Sequence, residues 1–345
     1  MQRCFQLARL AAGHVAPNPM VGAVLVYDDT IIGEGYHQVY GQAHAEVNCI
    51  NSVHDADKTL INKSTLYVSL EPCAHFGKTP PCADLIIKHQ IPKVVIACRD
   101  SFTEVDGKGI SKLKAAGVEV ITFILEKEAL DLNKRFFTFH NRYRPYIILK
   151  WAQTNDRKIA GKDGARVHIS NELTNRKVHR WRSSEAAILV GFNTALKDDP
   201  SLTTRLWKGN NPIRLVIDKD LTLPTSLHLF DGTVKTIVFN TIKHSSEGLL
   251  RFHQLLPGKD FIAQMLATLY RLNIQSVLVE GGAKLLQSFI DESCWDEARL
   301  ITNTKLNIGE GVAAPSLLNA HQTGSEKLLA DTIDYYNNTL LPAIA

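Results

Sequence analysis

The sequence predicts an α/β protein of two domains, each built of strands alternating with helices. Three observations carry this. The chain has 345 residues, more than twice the roughly 150 residues of an ordinary domain. Apolar residues make up 45% of it and charged residues 21%, a balance that fills a sizeable core and excludes disordered, collagen-like and coiled-coil chains. Short apolar runs of strand length alternate with helical stretches through both halves, the pattern of sheets covered by helices.

Cys4, Leu7, Ala8 and Ala11 fall at helical spacing and predict an amphipathic helix over residues 1–16. Ala16-Pro17-Asn18-Pro19 is a loop signal. Valine-rich residues 21–27 and residues 30–35, joined by Asp28-Asp29, read as a hairpin. Next come a helix over 43–53, a strand over 65–70, a loop over 71–81 containing Pro and Gly, and a helix over 82–89. A short buried strand at 94–98, a helix at 111–116 and a strand at 118–123 complete a three-layer α/β/α pattern, closed by a helical stretch at 126–140. Arg144-Pro145 then precedes a new strand at 146–151, which divides the chain into domains 1–144 and 145–345. The second half alternates again, with strands at 187–190, 213–217, 236–239 and 276–279 and helices at 172–182 and 260–272. The two halves share no motif, so the chain is not a duplication.

With 39 basic and 35 acidic residues the net charge is +4, too mild for a surface that wraps nucleic acid. No apolar run approaches the ~18 to 20 residues that span a bilayer, so no membrane partner is expected. Gln6, Arg9 and His14 interrupt the first apolar stretch, which therefore does not read as a signal peptide. The expected location is the cytoplasm, where the six cysteines stay reduced and some are available to a metal.

His44, Cys73 and Cys82 can supply three zinc ligands and leave a fourth position for water, the arrangement of a catalytic site. Zinc lowers the pKa of such a water toward neutrality. Glu46, two residues after His44, suits the proton transfers that deamination needs. His-x-Glu followed by Pro-Cys and a second Cys is the zinc deaminase pattern. A lone His-x-Glu is more often a surface pair and a lone cysteine a buried apolar residue; order and spacing together make the difference. Cys4, Cys49, Cys98 and Cys294 take the apolar reading. His37 and His75 are competing ligands that a complete three-ligand set does not require.

Eight residues separate Cys73 from Cys82, where nucleic-acid and nucleoside deaminases usually have two. With Asn18-Pro-Met-Val-Gly-Ala-Val24 upstream and Leu70-Glu71-Pro72 before the first cysteine, the chain closely resembles the bifunctional riboflavin-biosynthesis deaminase/reductase family. The resemblance covers nearly the whole chain. It implies a cytidine-deaminase-like domain followed by a dihydrofolate-reductase-like one. The implied substrate is a small phosphorylated pyrimidine, 2,5-diamino-6-ribosylamino-4(3H)-pyrimidinone 5′-phosphate, which loses its 2-amino group as ammonia. His44, Cys73 and Cys82 match the family's ligands for one Zn2+, and Glu46 its proton shuttle. Asn18, His75 and Lys78 match positions at the substrate. The family's usual Asp-Pro-Asn-Pro stretch is replaced here by a segment running from Asp100 to Gly107.

In the second half no G-x-G-x-x-G follows a strand. Val277 to Gly282 reads as strand and glycine turn before a helix from Ala283, which aims backbone N–H groups at an anion such as a cofactor phosphate. Arg182 and Arg205 suit a substrate phosphate. The segments 144–152, 188–194, 198–205 and Glu280-Gly281-Gly282 match the family's reductase domain. That implies reduction of the ribosyl group to a ribityl chain by NADPH, whose nicotinamide does the hydride chemistry. On this resemblance Ala152, His168, Thr194, Asp198, Gly282, Ala283 and Lys284 lie on the cofactor side, and Lys150, Arg182, Leu202, Arg205 and Glu280 on the substrate side. His168 stands where the family usually has tryptophan, and Arg157 where it has glycine. A homodimer is compatible with the family.

The zinc motif alone also fits a nucleic-acid deaminase with an appended domain, or a catalytically inactive zinc-stabilised binding protein. The cysteine spacing and mild charge oppose the first, and the intact Glu46 opposes the second.

Overall fold

A computed structural model describes residues 1–76, 80–101, 106–258 and 260–341. The chain separates into two compact units, Met1–Tyr143 and a second that begins at Arg144.

In the first unit the strands are β1 (Gly22–Tyr27), β2 (Thr30–Tyr36), β3 (Thr65–Val68), β4 (Lys93–Ile96) and β5 (Glu119–Ile121). They form one sheet in the order β2-β1-β3-β4-β5. β1 runs antiparallel to both neighbours, and β3, β4 and β5 are parallel. Successive side chains of a strand point to opposite faces, and this alternation builds the layers. Ala23, Leu25, Leu66, Val68, Val94 and Ile96 face α2 (Ala45–Asn51), α3 (Cys82–Lys88) and α4 (Lys108–Ala115). Val24 and Tyr67 point the other way, against α1 (Gln2–Arg9). Beyond the strands, Leu70 and Ala97 pack with α1, α5 (Glu126–Leu132) and α6 (Lys134–Arg142).

Several boundaries differ from those read in the sequence. The first helix stops at Arg9, because Leu10 and Ala11 donate to carbonyls three residues back and Gly13 turns to φ +82°. α4 begins at Lys108 instead of residue 111. The helical stretch at 126–140 is two helices divided at Asn133. There the side chain clamps another segment: Met20 N–H donates to Asn133 Oδ1 at 2.8 Å, and Asn133 Nδ2 donates to the Met20 carbonyl at 2.9 Å.

In the second unit the strands are β6 (Tyr146–Thr154), β7 (Lys158–Gly161), β8 (Ala187–Val190), β9 (Ile213–Ile217), β10 (Thr236–Asn240), β11 (Ser245–Glu247) and β12 (Leu250–Gln254). They continue with β13 (Ser276–Val279), β14 (Glu297–Asn303), β15 (Gly311–Ala313), β16 (Ala320–Leu328) and β17 (Asp331–Asn338). Among the described residues ten of these form a sheet ordered β11-β12-β10-β9-β8-β13-β6-β14-β17-β16, and β7 pairs with β15. The run from β12 to β14 is parallel. One face packs on α9 (Phe261–Arg271) and α10 (Ala283–Asp291) through Leu149, Leu189, Leu215 and Val279. On the other face Ile148 and Leu278 meet α7 (Glu172–Ser184), and Val190 and Val216 meet α8 (Phe192–Asp198). The chain leaves β8 toward β9 but leaves β13 toward β14, on the far side of β6. Between β8 and β13 the winding therefore changes direction, and in such sheets ligands bind outside the carboxyl ends at that point.

Among the described residues no helix is long and apolar enough to cross a membrane.

Candidate functional site

In the first unit His44 is the residue capping the N-terminus of α2, and its extended backbone (φ −74°, ψ 168°) turns the chain into the helix. Cys82 opens α3. Cys73 lies in the connection after β3, where its Sγ accepts the Cys82 N–H at 3.3 Å. Three short segments therefore meet, with His44 Nδ1 3.5 Å from Cys73 Sγ and 3.4 Å from Cys82 Sγ. All three ligand atoms lie within 4.8 Å of one another, and among the described residues no other group of this kind forms. Tetrahedral zinc with Zn–S of about 2.3 Å and Zn–N of about 2.0 Å requires N···S separations of about 3.5 Å, so the donor set fits the ion. The convergence lowers the Cys73 thiol to about 4, through hydrogen bonds from Cys82 and His44 that outweigh burial. A thiolate is the form that binds metal.

Glu46 sits in the first turn of α2 and is 3% exposed. Burial first, and then the negative charge of Cys73, push its carboxyl up to about 7.

His37 lies outside the ligand set. Its ring centroid is 5.4 Å from that of His44, but its nitrogens are engaged elsewhere. Asn18 Nδ2 donates to Nε2 at 3.1 Å, and Nδ1 donates to the Ala43 carbonyl at 3.0 Å. Burial lowers its pKa, which favours the neutral ring this pattern requires. The sequence offered His37 only as a competing ligand; the structure makes it the holder of Asn18. His75 is half-buried, two residues past Cys73, and is likewise outside the ligand set. Lys78 lies outside the described residues.

In the second unit several of the predicted residues lie on the elements that follow β8 and β13 or on β6 itself. Gly191 N–H donates to the Gly281 carbonyl at 2.9 Å, joining the loops after β8 and β13. Gly282 caps α10, whose first turn holds Ala283 and exposed Lys284. A Cβ at Gly282 would lie 3.1 Å from Thr194 Oγ1 on α8. Asp198 ends α8, and burial raises its pKa against Arg166 and Lys197. Ala152 is on β6 and half-buried, and His168 is exposed in a stretch without regular structure.

Glu280, its side chain 7% exposed, is the centre of a buried ionic cluster with Arg182 and Lys150, residues expected on the substrate side. Arg182 grips it bidentately at 2.8 and 2.7 Å and also donates to the Thr203 carbonyl at 3.2 Å. Lys150 Nζ stands 3.5 Å away. Burial alone would raise this carboxyl; Arg182 and Lys150 instead hold it at about 2. Arg182 is thus committed to Glu280, whereas Arg205 is exposed. Leu202, at φ +50°, is buried among Val190, Ala195 and Val216. Sequence reasoning missed His179, one turn before Arg182 on α7. It is buried, hydrogen-bonded to the Thr203 backbone, and its pKa is lowered to about 4 by burial and then by Arg182 and Arg205. Its helical spacing from Arg182 was the available signal.

Comparison with known proteins extends over both units. Residues 1–98 match the cytidine and deoxycytidylate deaminase zinc-binding region, and residues 145–328 match the RibD C-terminal domain. The riboflavin biosynthesis protein RibD of Aquifex aeolicus is 39% identical over 92% of this chain and 89% of its own length. That of Bacillus amyloliquefaciens is 40% identical over 95% and 89%. A crystal structure from Thermotoga maritima, of a diaminohydroxyphosphoribosylaminopyrimidine deaminase/5-amino-6-(5-phosphoribosylamino)uracil reductase, superposes with a TM-score of 0.89 at 36% identity, covering 98% of this chain and 97% of that one. Matches over both halves do not favour a nucleic-acid deaminase or an inactive scaffold.

Proposed function

The chain belongs to the bifunctional deaminase/reductase family of riboflavin biosynthesis, enzymes that join a zinc deaminase to an NADPH-dependent reductase, and from that premise we propose which residues act. Residues 1–144 remove the 2-amino group of 2,5-diamino-6-ribosylamino-4(3H)-pyrimidinone 5′-phosphate as ammonia. Residues 145–345 then reduce the ribosyl group to ribityl.

His44, Cys73 and Cys82 would hold the zinc, which when bound would supply a nucleophilic water at neutral pH. Glu46 takes a proton from the attacking water and passes it to the departing amine. Burial that raises its carboxyl suits a group working in both directions. Asn18, kept in place by His37, orients the pyrimidine together with His75 and Lys78.

In the reductase, the first-turn N–H groups of α10 at Ala283 and Lys284 receive a cofactor phosphate, with Gly282 giving close approach. Ala152, His168, Thr194 and Asp198 line the same side. Arg205 takes the substrate phosphate and Leu202 lines the substrate side, while Arg182 and Lys150 keep Glu280 ionised toward the sugar. Cytoplasmic location and a homodimer complete the reading; sedimentation velocity tests the latter.

The observation that carries the proposal is the meeting of His44, Cys73 and Cys82 beside buried Glu46. The purified protein is expected to oxidise NADPH on addition of the diaminopyrimidine phosphate. Glu46→Gln is expected to keep its zinc, lose about 10²- to 10⁴-fold in ammonia release, and still reduce pre-deaminated substrate. Ammonia release at the wild-type rate removes Glu46 from the mechanism.

A further inference from the structure

We propose that Glu71 is a positioning residue of the metal centre, fixing the Cys73 ligand by tying its segment to the N-terminus of α4. The inference rests on the ligand set assigned above. Glu71 is 4% exposed and stands two residues before Cys73. Its Oε2 accepts the N–H of Gly107 at 3.0 Å and of Asp100 at 3.3 Å, and its Oε1 accepts the N–H of Ile110 at 3.1 Å. Its own N–H donates to the Cys98 carbonyl at 3.1 Å, just beyond β4.

These partners have a common logic. α4 starts from a glycine, Gly107 at φ +79°, which has no side chain to cap the free N–H groups of the first turn. Glu71 supplies that cap from another part of the chain. A carboxylate suits the place, since hydrogen bonds to an ionised acceptor are stronger than neutral ones and the helix N-terminus favours negative charge. The same carboxylate holds Asp100 and Gly107, the two ends of the segment that departs from the family's usual sequence.

The backbones also touch. A Cβ on Gly109 would fall 1.9 Å from the Pro72 carbonyl oxygen, so the first turn of α4 presses against the residue immediately before Cys73. From Cys73 the order passes to α3: its carbonyl accepts the Ala83 N–H at 3.1 Å and its sulfur the Cys82 N–H. Cys73 itself lies outside regular secondary structure. Its sulfur meets His44 at the required separation because the chain on its N-terminal side is fixed by Glu71 and Gly109. Groups that orient metal ligands in this way typically matter by about 10- to 100-fold in metal affinity.

The test uses the full-length protein and Glu71→Gln, which keeps the shape but turns an amide NH2 toward N–H donors. The expected result is an affinity for Zn2+, measured by chelator competition, weaker by about 10- to 100-fold. An altered d–d spectrum of the Co2+-substituted protein and faster amide exchange at Gly107 and Ile110 are expected with it, while reduction of pre-deaminated substrate is unchanged. Gly109→Ala leaves the carboxylate group in place and pushes mainly on the Pro72 carbonyl, its Cβ lying 1.9 Å from that oxygen and 3.3 Å from Glu71 Oε1; it is expected to weaken Zn2+ binding too, and it carries the test should Glu71→Gln not fold. Faster amide exchange with unchanged Zn2+ affinity and Co2+ spectrum would make Glu71 a helix cap only and overturn the proposal. Cys73→Ser separates this from failure of the ligand assignment: if it retains wild-type Zn2+ affinity, the ligand set is wrong.

Discussion

The deaminase unit gathers three ligand atoms within 4.8 Å from short segments that each begin or flank a helix. In the reductase unit Arg182 reaches Glu280 from 98 positions away, and the surrounding residues come from β6, α7, α8 and the loop after β13. A metal admits few residue types and tight separations, so its site is written as a motif. A cofactor cleft is made of backbone approach and charge placement, which many residue types can supply. The first site breaks abruptly when one atom is removed, and the second degrades in steps.

The largest effect is expected from Cys73→Ser. It is expected to abolish zinc binding and deamination while leaving reduction of pre-deaminated substrate at the wild-type rate. Zinc content and the two activities measured on one preparation check it. Loss of reduction in a folded protein would show that the two chemistries are not separate.

Glu280→Gln comes next. It leaves Arg182 and Lys150 buried together without their counter-charge, a change that costs about 3–5 kcal/mol when a buried pair is broken. All four tryptophans, Trp151, Trp181, Trp207 and Trp295, lie in the second half, so urea unfolding followed by tryptophan fluorescence reads this unit alone. Its sign with pH follows from the depressed carboxyl, held at about 2 against an ordinary value of 4.5. The stabilisation is fully present above about pH 4.5 and is lost as pH falls toward about 2, amounting to roughly 3 kcal/mol. Wild-type protein is expected to lose that much more stability over the window than Glu280→Gln. Parallel pH profiles of the two would remove Glu280 as the ionised centre.

The smallest effect belongs to Gly282→Ala. Its φ of −73° suits alanine, so only the 3.1 Å approach to Thr194 Oγ1 opposes the change. A cost of about 0.5–1 kcal/mol corresponds to an increase of about two- to fivefold in KM for NADPH, with deamination untouched. An unchanged KM would move the cofactor away from the N-terminus of α10.

Legibility in the sequence follows the same division. His44, Glu46, Cys73 and Cys82 stood out because a residue type, an order and a spacing coincided, and the structure brings the three ligands together. Valine-rich β1 and fully buried β8 and β13 were plain as apolar runs. β16, reading Ala-His-Gln-Thr-Gly-Ser-Glu-Lys-Leu, was not: it is an edge strand with much of its surface exposed, so burial imposes little apolar pattern. β14 hid for the opposite reason, since Glu297 and Arg299 are buried on it and hydrogen-bonded to each other at 2.7 Å. Arg182 was visible as a cation, but its commitment to Glu280 was not.

The α/β class and the family were legible in the sequence alone, as was the expectation that His44, Cys73 and Cys82 hold a metal with Glu46 beside them. These rest on residue chemistry and local periodicity, which are present before the chain folds. The tertiary structure alone decided that Asn133 divides a helix, that His37 serves Asn18 instead of a metal, that Glu71 caps a helix 36 residues on, and that Glu280 stays ionised while buried. Each is a polar group whose burial is tolerable only with a partner, and folding supplies that partner from elsewhere in the chain.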